Sequence, residues 1–328
     1  MKTFTRRALM AAGAVLFAAG LAAPAAAQDK VQIRFSAVFS EKDIRAEMMK
    51  KFAEGIGGDF DYQGYYGGTL FKQGTELVAL QRGNLEMGNI APQDVSNQIP
   101  AWSVLTSAYL FRDAEHLATF FRSDVGKEMT ALVEQQLGVK ILGPTYFGSR
   151  QVGLRIDKKI TTPADLAGVK LRMPGGDAWQ FLGTALGANP VPLAYAEVYT
   201  ALQTGAIDGQ DNPFPNVQNM KFYEVMKQIV QTSHLVGYDL LTISLPTWNK
   251  LSAEQQQKVQ EAADAAIAWS TEQHLKRESE LAAFFKEQGL EIYKPDVDAF
   301  RAHAQKLYLG SDLAKDWPEG IVERINAL

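Results

Sequence analysis

The chain has 328 residues, with 33 Lys and Arg against 37 Asp and Glu, a formal charge of −4, and no cysteine. The missing thiol excludes disulfides, a cysteine nucleophile and a lipid-anchored cysteine, and no Lys/Arg block is long enough to suggest a nucleic-acid surface. The length exceeds a typical single domain, so two domains or one divided pair are expected.

Residues 1–27 read as a secretory signal. Lys2, Arg6 and Arg7 precede the apolar run 8–23, and Ala25-Ala26-Ala27 supplies a small-residue cleavage site before Gln28. The apolar run is short for a membrane span and ends at Pro24. Thr5-Arg6-Arg7-Ala8-Leu9-Met10 also resembles a twin-arginine signal, which leaves Sec and twin-arginine export equally open. Cleavage near Ala27 removes three basic residues and no acid, taking the charge from −4 to −7. The mature chain is expected to be periplasmic and soluble, with no direct membrane insertion.

The stretch 31–39 predicts a strand buried on both faces, and 41–55 a helix with Ile44, Met48 and Phe52 inward. A second strand follows at 60–66, broken by Gly67-Gly68. A helix at 75–82 closes on Gly83, and a third strand at 85–90 ends at Pro92. One or two helices fill 116–136, and 139–142 is a strand leading to Tyr146, Phe147 and Arg150. Thr162-Pro163-Ala164-Asp165 opens a helical turn with Thr as N-cap and Pro at the first helical position. The strand 169–173 puts Val169, Leu171 and Met173 on one face and Lys170 and Arg172 on the other. Helices at 177–186 and 195–204 close on Gly187 and Gly205, a strand follows at 206–210, and another at 240–245 stops at Pro246. Ser252 opens the longest helix, 253–288, which at this length is expected to span two domains. The alternation of strand and helix argues for an α/β fold. With no repeat and no disordered linker, the domains are expected to share crossing strands.

Arg172 stands at the end of its strand, just before Pro174-Gly175-Gly176 and the start of a helix. Ligands of open α/β sheets sit in the crevice beyond the carboxyl ends of the strands. A guanidinium there, facing a helix N-terminus, makes a site for a carboxylate. The alternative is an Arg that pairs with a structural acid.

Lys170-Leu171-Arg172-Met173-Pro174 and Asp208-Gly209-Gln210-Asp211-Asn212-Pro213 resemble two patterns of the DctP-type solute-binding proteins of tripartite ATP-independent periplasmic (TRAP) transporters. In that family the Arg and the Asn hold the substrate's carboxylate, so the resemblance implies that role for Arg172 and Asn212. For Asn212 the alternative is an Asx-turn before Pro213. The resemblance also implies a second cation, Arg150, in Gly148-Ser149-Arg150-Gln151. The next residues, Val152-Gly153-Leu154-Arg155, depart from the polar run of relatives and leave Arg155 as a competitor. Tyr195 matches an aromatic slot that lines the ligand, and Trp179 either reaches the same space or packs in the core. Lys72 falls where several relatives place an acidic or polar contact; it either points inward, favouring a second negative group, or is a solvated loop residue.

What the resemblance implies is a two-lobed binding protein with its ligand cleft between the lobes and a long late helix. Lobe I would comprise 28–147 with about 238–275, and lobe II 148–237 with about 276–328. It would capture a small organic acid anion, possibilities including a sugar acid, and deliver it as a monomer to membrane permease subunits. No enzyme, cofactor or metal is implied: His116, His234, His274 and His303 lack ligand spacing, and no nucleophile elbow or phosphate loop occurs. A periplasmic enzyme or sensor module on the same fold, and a sulfonate or aromatic acid as ligand, are the alternatives.

Overall fold

The computed structural model describes residues 30–328, so the signal segment and its cleavage site lie outside the described residues. Among these, nine strands form one mixed sheet. They are β1 (Val31–Ser36), β2 (Phe60–Tyr65), β3 (Met87–Ile90), β4 (Val139–Leu154), β5 (Lys170–Met173), β6 (Asn189–Pro192), β7 (Gly209–Asn212), β8 (Gln228–Ser244) and β9 (Glu291–Tyr293). Their order is β2-β1-β3-β8-β4-β7-β5-β6, with β9 paired to β8.

The long strands β4 and β8 pair antiparallel and form a ribbon shared by two halves. Near the C-terminal end of β8, residues 240–243 carry β3, and beyond it the parallel β1 and β2. At the other end, residues 151–154 of β4 carry β7, and beyond it the parallel β5 and β6. Each half buries both faces of its sheet. In the first, Trp102, Phe120 and Leu240 lie in one core and Phe35, Phe52 and Ile243 in another. In the second, Leu171, Met173 and Leu182 lie in one core and Val198, Ile229 and Phe222 in another.

The helix Ala253–Glu287 starts from a capping box: Ser252 Oγ accepts from Gln255 N at 3.2 Å, and Gln255 Oε1 accepts from Ser252 N at 3.0 Å. Its Val259 and Ala263 pack in the first half, and its Leu281 and Phe285 in the second, so one rigid rod braces both. The long helix therefore spans the two halves, as its length predicts.

Two expectations need correction. The strands predicted at 139–142 and 240–245 are only the ends of the 16-residue β4 and the 17-residue β8. Gly143, Pro144, Gly148 and Gly237 lie inside these strands, and β4 carries register shifts between Ile141 and Gly143, Tyr146 and Gly148, and Arg150 and Val152. Gly148 and Gly237 face each other at the middle of the ribbon. Gly148 has φ 118°, and a Cβ on it would stand 2.7 Å from Pro213 Cβ. The second correction concerns the tail: Ile321 and Ile325 pack with Leu117 and Val125 of the first half, while Phe300, Ala304 and Tyr308 stay in the second. The chain after 276 thus crosses back, because the amphipathic helix Ile321–Asn326 finds its apolar surface there.

Candidate functional site

A cavity open to solvent lies where the carboxyl ends of β1, β3, β5 and β7 converge on the ribbon. Both halves supply its wall. The first gives Phe39, Arg45, Gln73, Glu76, Asn89 and Asp94; the second gives Arg172, Pro174, Trp179, Tyr195, Asn212 and Asn216; the ribbon gives Phe147, Arg150 and Asp239. Its position follows the rule for open α/β sheets. A vestibule adjoins it, lined in part by Gly175, Gly176, Asn97 and Glu197.

Arg172 is 1 % exposed and has no carboxylate within 4.0 Å among the described residues. Its Nε donates to Leu193 O at 2.8 Å and its Nη2 to Gln73 Oε1 at 3.3 Å. Burial pulls its pKa down to about 10; Asp211 holds it up and Arg150 pushes it further down. It remains a cation at neutral pH, desolvated and without a counter-ion. The alternation of β5 produces this: Leu171 and Met173 fill the core, Lys170 is exposed, and Arg172 turns to the cavity at the strand's end. The Tyr195 ring stands beside it, 5.8 Å from the guanidinium. Tyr195 N donates to Gln73 Oε1 at 2.9 Å, so Gln73 of the first half clasps two groups of the second.

Arg150 is equally buried but already neutralised. Nε donates to Asp211 Oδ2 at 2.7 Å, and Nη2 to Asp211 Oδ1 at 2.9 Å and to Asp211 O at 2.7 Å. Burial opposes charge on Asp211, yet Arg150 and His234 hold its carboxyl well below the usual carboxylate range. His234 Nε2 lies 3.1 Å from Asp211 Oδ2 and Nδ1 lies 2.8 Å from Thr232 Oγ1. The Arg150 guanidinium also lies 4.8 Å from the centre of the Trp179 ring. Asn212 donates through Nδ2 to Gln210 Oε1 at 2.6 Å, not in the turn geometry considered for it.

Five of the six residues singled out in the sequence, Arg172, Arg150, Asn212, Tyr195 and Trp179, therefore share one cavity wall. Lys72 does not: it is exposed, and its neighbour Gln73 takes the inward position. Arg155, the competitor of Arg150, stands at the end of β4 against Gly205, away from the cavity. The loop Pro174-Gly175-Gly176 borders the vestibule, and only Pro174 also reaches the inner cavity.

Sequence reasoning missed the contribution of the first half. Arg45 Nη2 pairs with Asp43 Oδ2 at 2.9 Å and Nη1 with Asp239 Oδ2 at 2.7 Å, and its guanidinium lies 4.3 Å from the Phe39 and Phe147 ring centres. Asn89 Nδ2 donates to Asp239 Oδ2 at 2.8 Å. Burial pushes Glu76 up to about 8, against hydrogen bonds from its own backbone N–H, and Asp94 adds to the rise. Burial pushes Asp94 up to about 7, with Asp239 adding. Two signals pointed this way: a cation in the first turn of a helix, where the dipole disfavours it, and Asp239 alone inside an apolar strand. Glu76 and Asp94 carried none.

The model of bacterial extracellular solute-binding protein family 7 (DctP) matches residues 36–312. A TRAP periplasmic solute-binding protein of Roseobacter denitrificans, solved with bound 3-deoxy-D-manno-oct-2-ulosonic acid, superposes with a TM-score of 0.90 at 47% identity, over 91% of this chain and 99% of that one. A second from the same species, with bound L-galactonate, gives a TM-score of 0.82 at 26% identity, over 90% and 97% of the two chains. The sialic acid-binding periplasmic protein SiaP of Vibrio cholerae is 35% identical over 210 residues, which are 64% of this chain and 65% of the relative.

Proposed function

The chain belongs to bacterial extracellular solute-binding protein family 7, and on that premise we propose that its ligand is a polyhydroxylated monocarboxylate of the sugar-acid type. Members of the family are the solute-binding components of TRAP transporters; they bind small acids and work with membrane permease subunits, and are not enzymes. No helix among the described residues is long and apolar enough to cross a membrane. The observation that carries the ligand class is Arg172, a buried guanidinium without a carboxylate partner among the described residues, in a cavity otherwise rich in hydrogen-bonding groups.

In this reading the ligand carboxylate pairs with Arg172, taking two of its N–H groups in the planar fork that suits a carboxylate. Arg150 adds positive potential while staying bound to Asp211, and Asn212 supplies a side-chain amide at the same end. Tyr195 and Trp179 cover the ligand's apolar ring or chain face. The halves act as two lobes hinged at the Gly148–Gly237 pair. Ligand selects the closed arrangement because only that arrangement completes contacts from both sides. The mature protein starts near Gln28 and is a monomer.

Calorimetric titration with 3-deoxy-D-manno-oct-2-ulosonic acid and L-galactonate tests the ligand class. Saturable binding of at least one supports it; silence with both, with binding of a sulfonate or an aromatic acid instead, overturns it. Small-angle scattering with the bound acid should show compaction, and identical curves at saturation would count against the hinge. N-terminal sequencing and light scattering of periplasmic protein check the start and the monomer.

A further inference from the structure

We propose that Glu76, Asp94 and Asp239 make the cavity selective for acids that carry one anionic group and a hydroxylated remainder, and exclude dicarboxylates of the same length. The inference rests on the sugar-acid reading above and adds what that reading leaves open, the identity of the ligand's far end.

Three buried guanidiniums line the wall. Arg45 is shared by Asp43 and Asp239, and Arg150 is held by Asp211. Among the described residues only Arg172 of the three lacks a carboxylate within 4.0 Å, so the wall offers one uncompensated cation and therefore room for one anion. Two further acids, without a guanidinium partner among the described residues, join Asp239 of β8 on the wall: Glu76 from the first turn of the helix Glu76–Gln81 and Asp94 from that of Pro92–Ser96. All three line the same cavity as Arg172, and none of them lies within 4.0 Å of its guanidinium nitrogens.

A second, independent observation points to what meets them. Glu76 is 3 % exposed, and its Oε1 is buried without a hydrogen-bond partner. Asn216, on the same wall, donates through Nδ2 to Tyr195 Oη at 3.1 Å and leaves its Oδ1 equally unpartnered. Unpartnered buried acceptors call for donors. Hydroxyl groups supply them, whereas a second ligand carboxylate would bring oxygen against oxygen and find no free cation. Juxtaposed like charges suppress a wrong partner. The groups that face this region from all sides are Arg45 and Asp43 at the start of the helix Ile44–Ile56, Arg150 on the ribbon, and Arg172 and Tyr195 from the second half. The reluctance of Glu76 and Asp94 to ionise means that the exclusion strengthens as pH rises through about 7 to 8.

The test is a matched pair of ligands. L-Galactonate and galactarate share one carbon chain and differ in whether the far end is CH2OH or a carboxylate. The full mature protein and a Glu76→Gln/Asp94→Asn double variant are titrated calorimetrically with both, and with 3-deoxy-D-manno-oct-2-ulosonic acid, at about pH 6.5 and about pH 8.5. The tighter monoacid serves as reference. The wild type should bind galactarate roughly 100-fold more weakly than the reference at the higher pH, with a smaller gap at the lower. The double variant should narrow the gap by roughly tenfold, chiefly through tighter galactarate binding. Galactarate within a factor of about three of the reference, or a gap that the double variant leaves unmoved, overturns the proposal. Tighter binding of 6-amino-6-deoxy-L-galactonate than of L-galactonate also overturns it, since the acids would then serve an ammonium. Silence with both monoacids sinks the sugar-acid reading itself, whereas equal binding of monoacid and diacid sinks only this inference.

Discussion

Arg150 and Arg172 line the same cavity, both at 4 % exposure or less, yet they are opposite objects. Arg150 has its charge answered twice over, by the Asp211 carboxylate and by the Asp211 carbonyl, and Asp211 in turn is held by His234. Arg172 has a backbone carbonyl and a side-chain amide and no anion. Burial alone therefore does not mark a binding residue. A buried charge that is satisfied belongs to the scaffold, and one left incomplete is waiting for something.

Removing each guanidinium separates the two most sharply. Arg150→Met should destabilise the fold by about 3–5 kcal/mol, because Asp211 is left as a buried charge without its main partner. Chemical denaturation measures it, and a loss under about 1 kcal/mol would make the pair a bystander. Arg172→Ala should leave apo stability unchanged or raised, yet cost ligand affinity on the order of 3–5 kcal/mol, about two to four decades. Arg172→Lys should recover only part, since an ammonium lacks the planar fork. A lysine variant that binds as tightly as wild type would reduce Arg172 to a point charge.

Acidity sharpens the contrast further. Asp211 has a depressed carboxyl pKa, so its stabilisation is present above the unfolded value near 4 and is lost as pH falls below it. Burial also lowers His234, and takes His274 down to about 4, so folding resists their protonation and stability drops as pH falls below about 6.5. Glu76 and Asp94 run the other way: their raised values mean that the folded protein retains protons the unfolded chain releases. Their contribution is therefore lost between about pH 4 and their folded values of about 8 and about 7. The Glu76→Gln/Asp94→Asn variant should gain melting temperature over wild type at about pH 8 and not at about pH 5. Equal shifts at both would show that ionisation is not the cause.

The smallest effect concerns the clasp. Gln73→Ala removes the acceptor shared by Arg172 Nη2 and Tyr195 N and should weaken ligand binding by about 0.5–1.5 kcal/mol, roughly two- to tenfold. Unchanged affinity with unchanged closure in scattering would mean that water replaces it at no cost.

Where the sequence was legible, one local signal sufficed. The short strands ending at Arg172 and before Pro92 were bounded by turn residues, and the helix from Ser252 carried its cap and spacing. The ribbon was not legible, because Gly143-Pro144, Gly148 and Gly237 signal termination locally and only pairing across the molecule overrides them. β6, with two prolines in four residues, was missed for the same reason, and edge placement is what makes it tolerable. The second half's wall came from one contiguous stretch whose wording could be read. The first half's wall is assembled from single residues, Arg45, Gln73, Glu76, Asn89 and Asp94, each ordinary where it stands and meaningful only together. Lys72 against Gln73 shows how little separates the two outcomes: one step along a loop exchanges solvent for cavity.

The ribbon also governs how the chain assembles in time. Residues of β4 wait for β8 roughly a hundred positions later, and β3 waits for the same strand from farther still. Pairings so distant in sequence make folding slow compared with helical proteins of similar stability. A chain cut between β7 and β8 leaves unpaired strand edges in both halves at once, the condition that invites aggregation. The two halves thus share one fate during synthesis, and neither can serve as a folded template for the other.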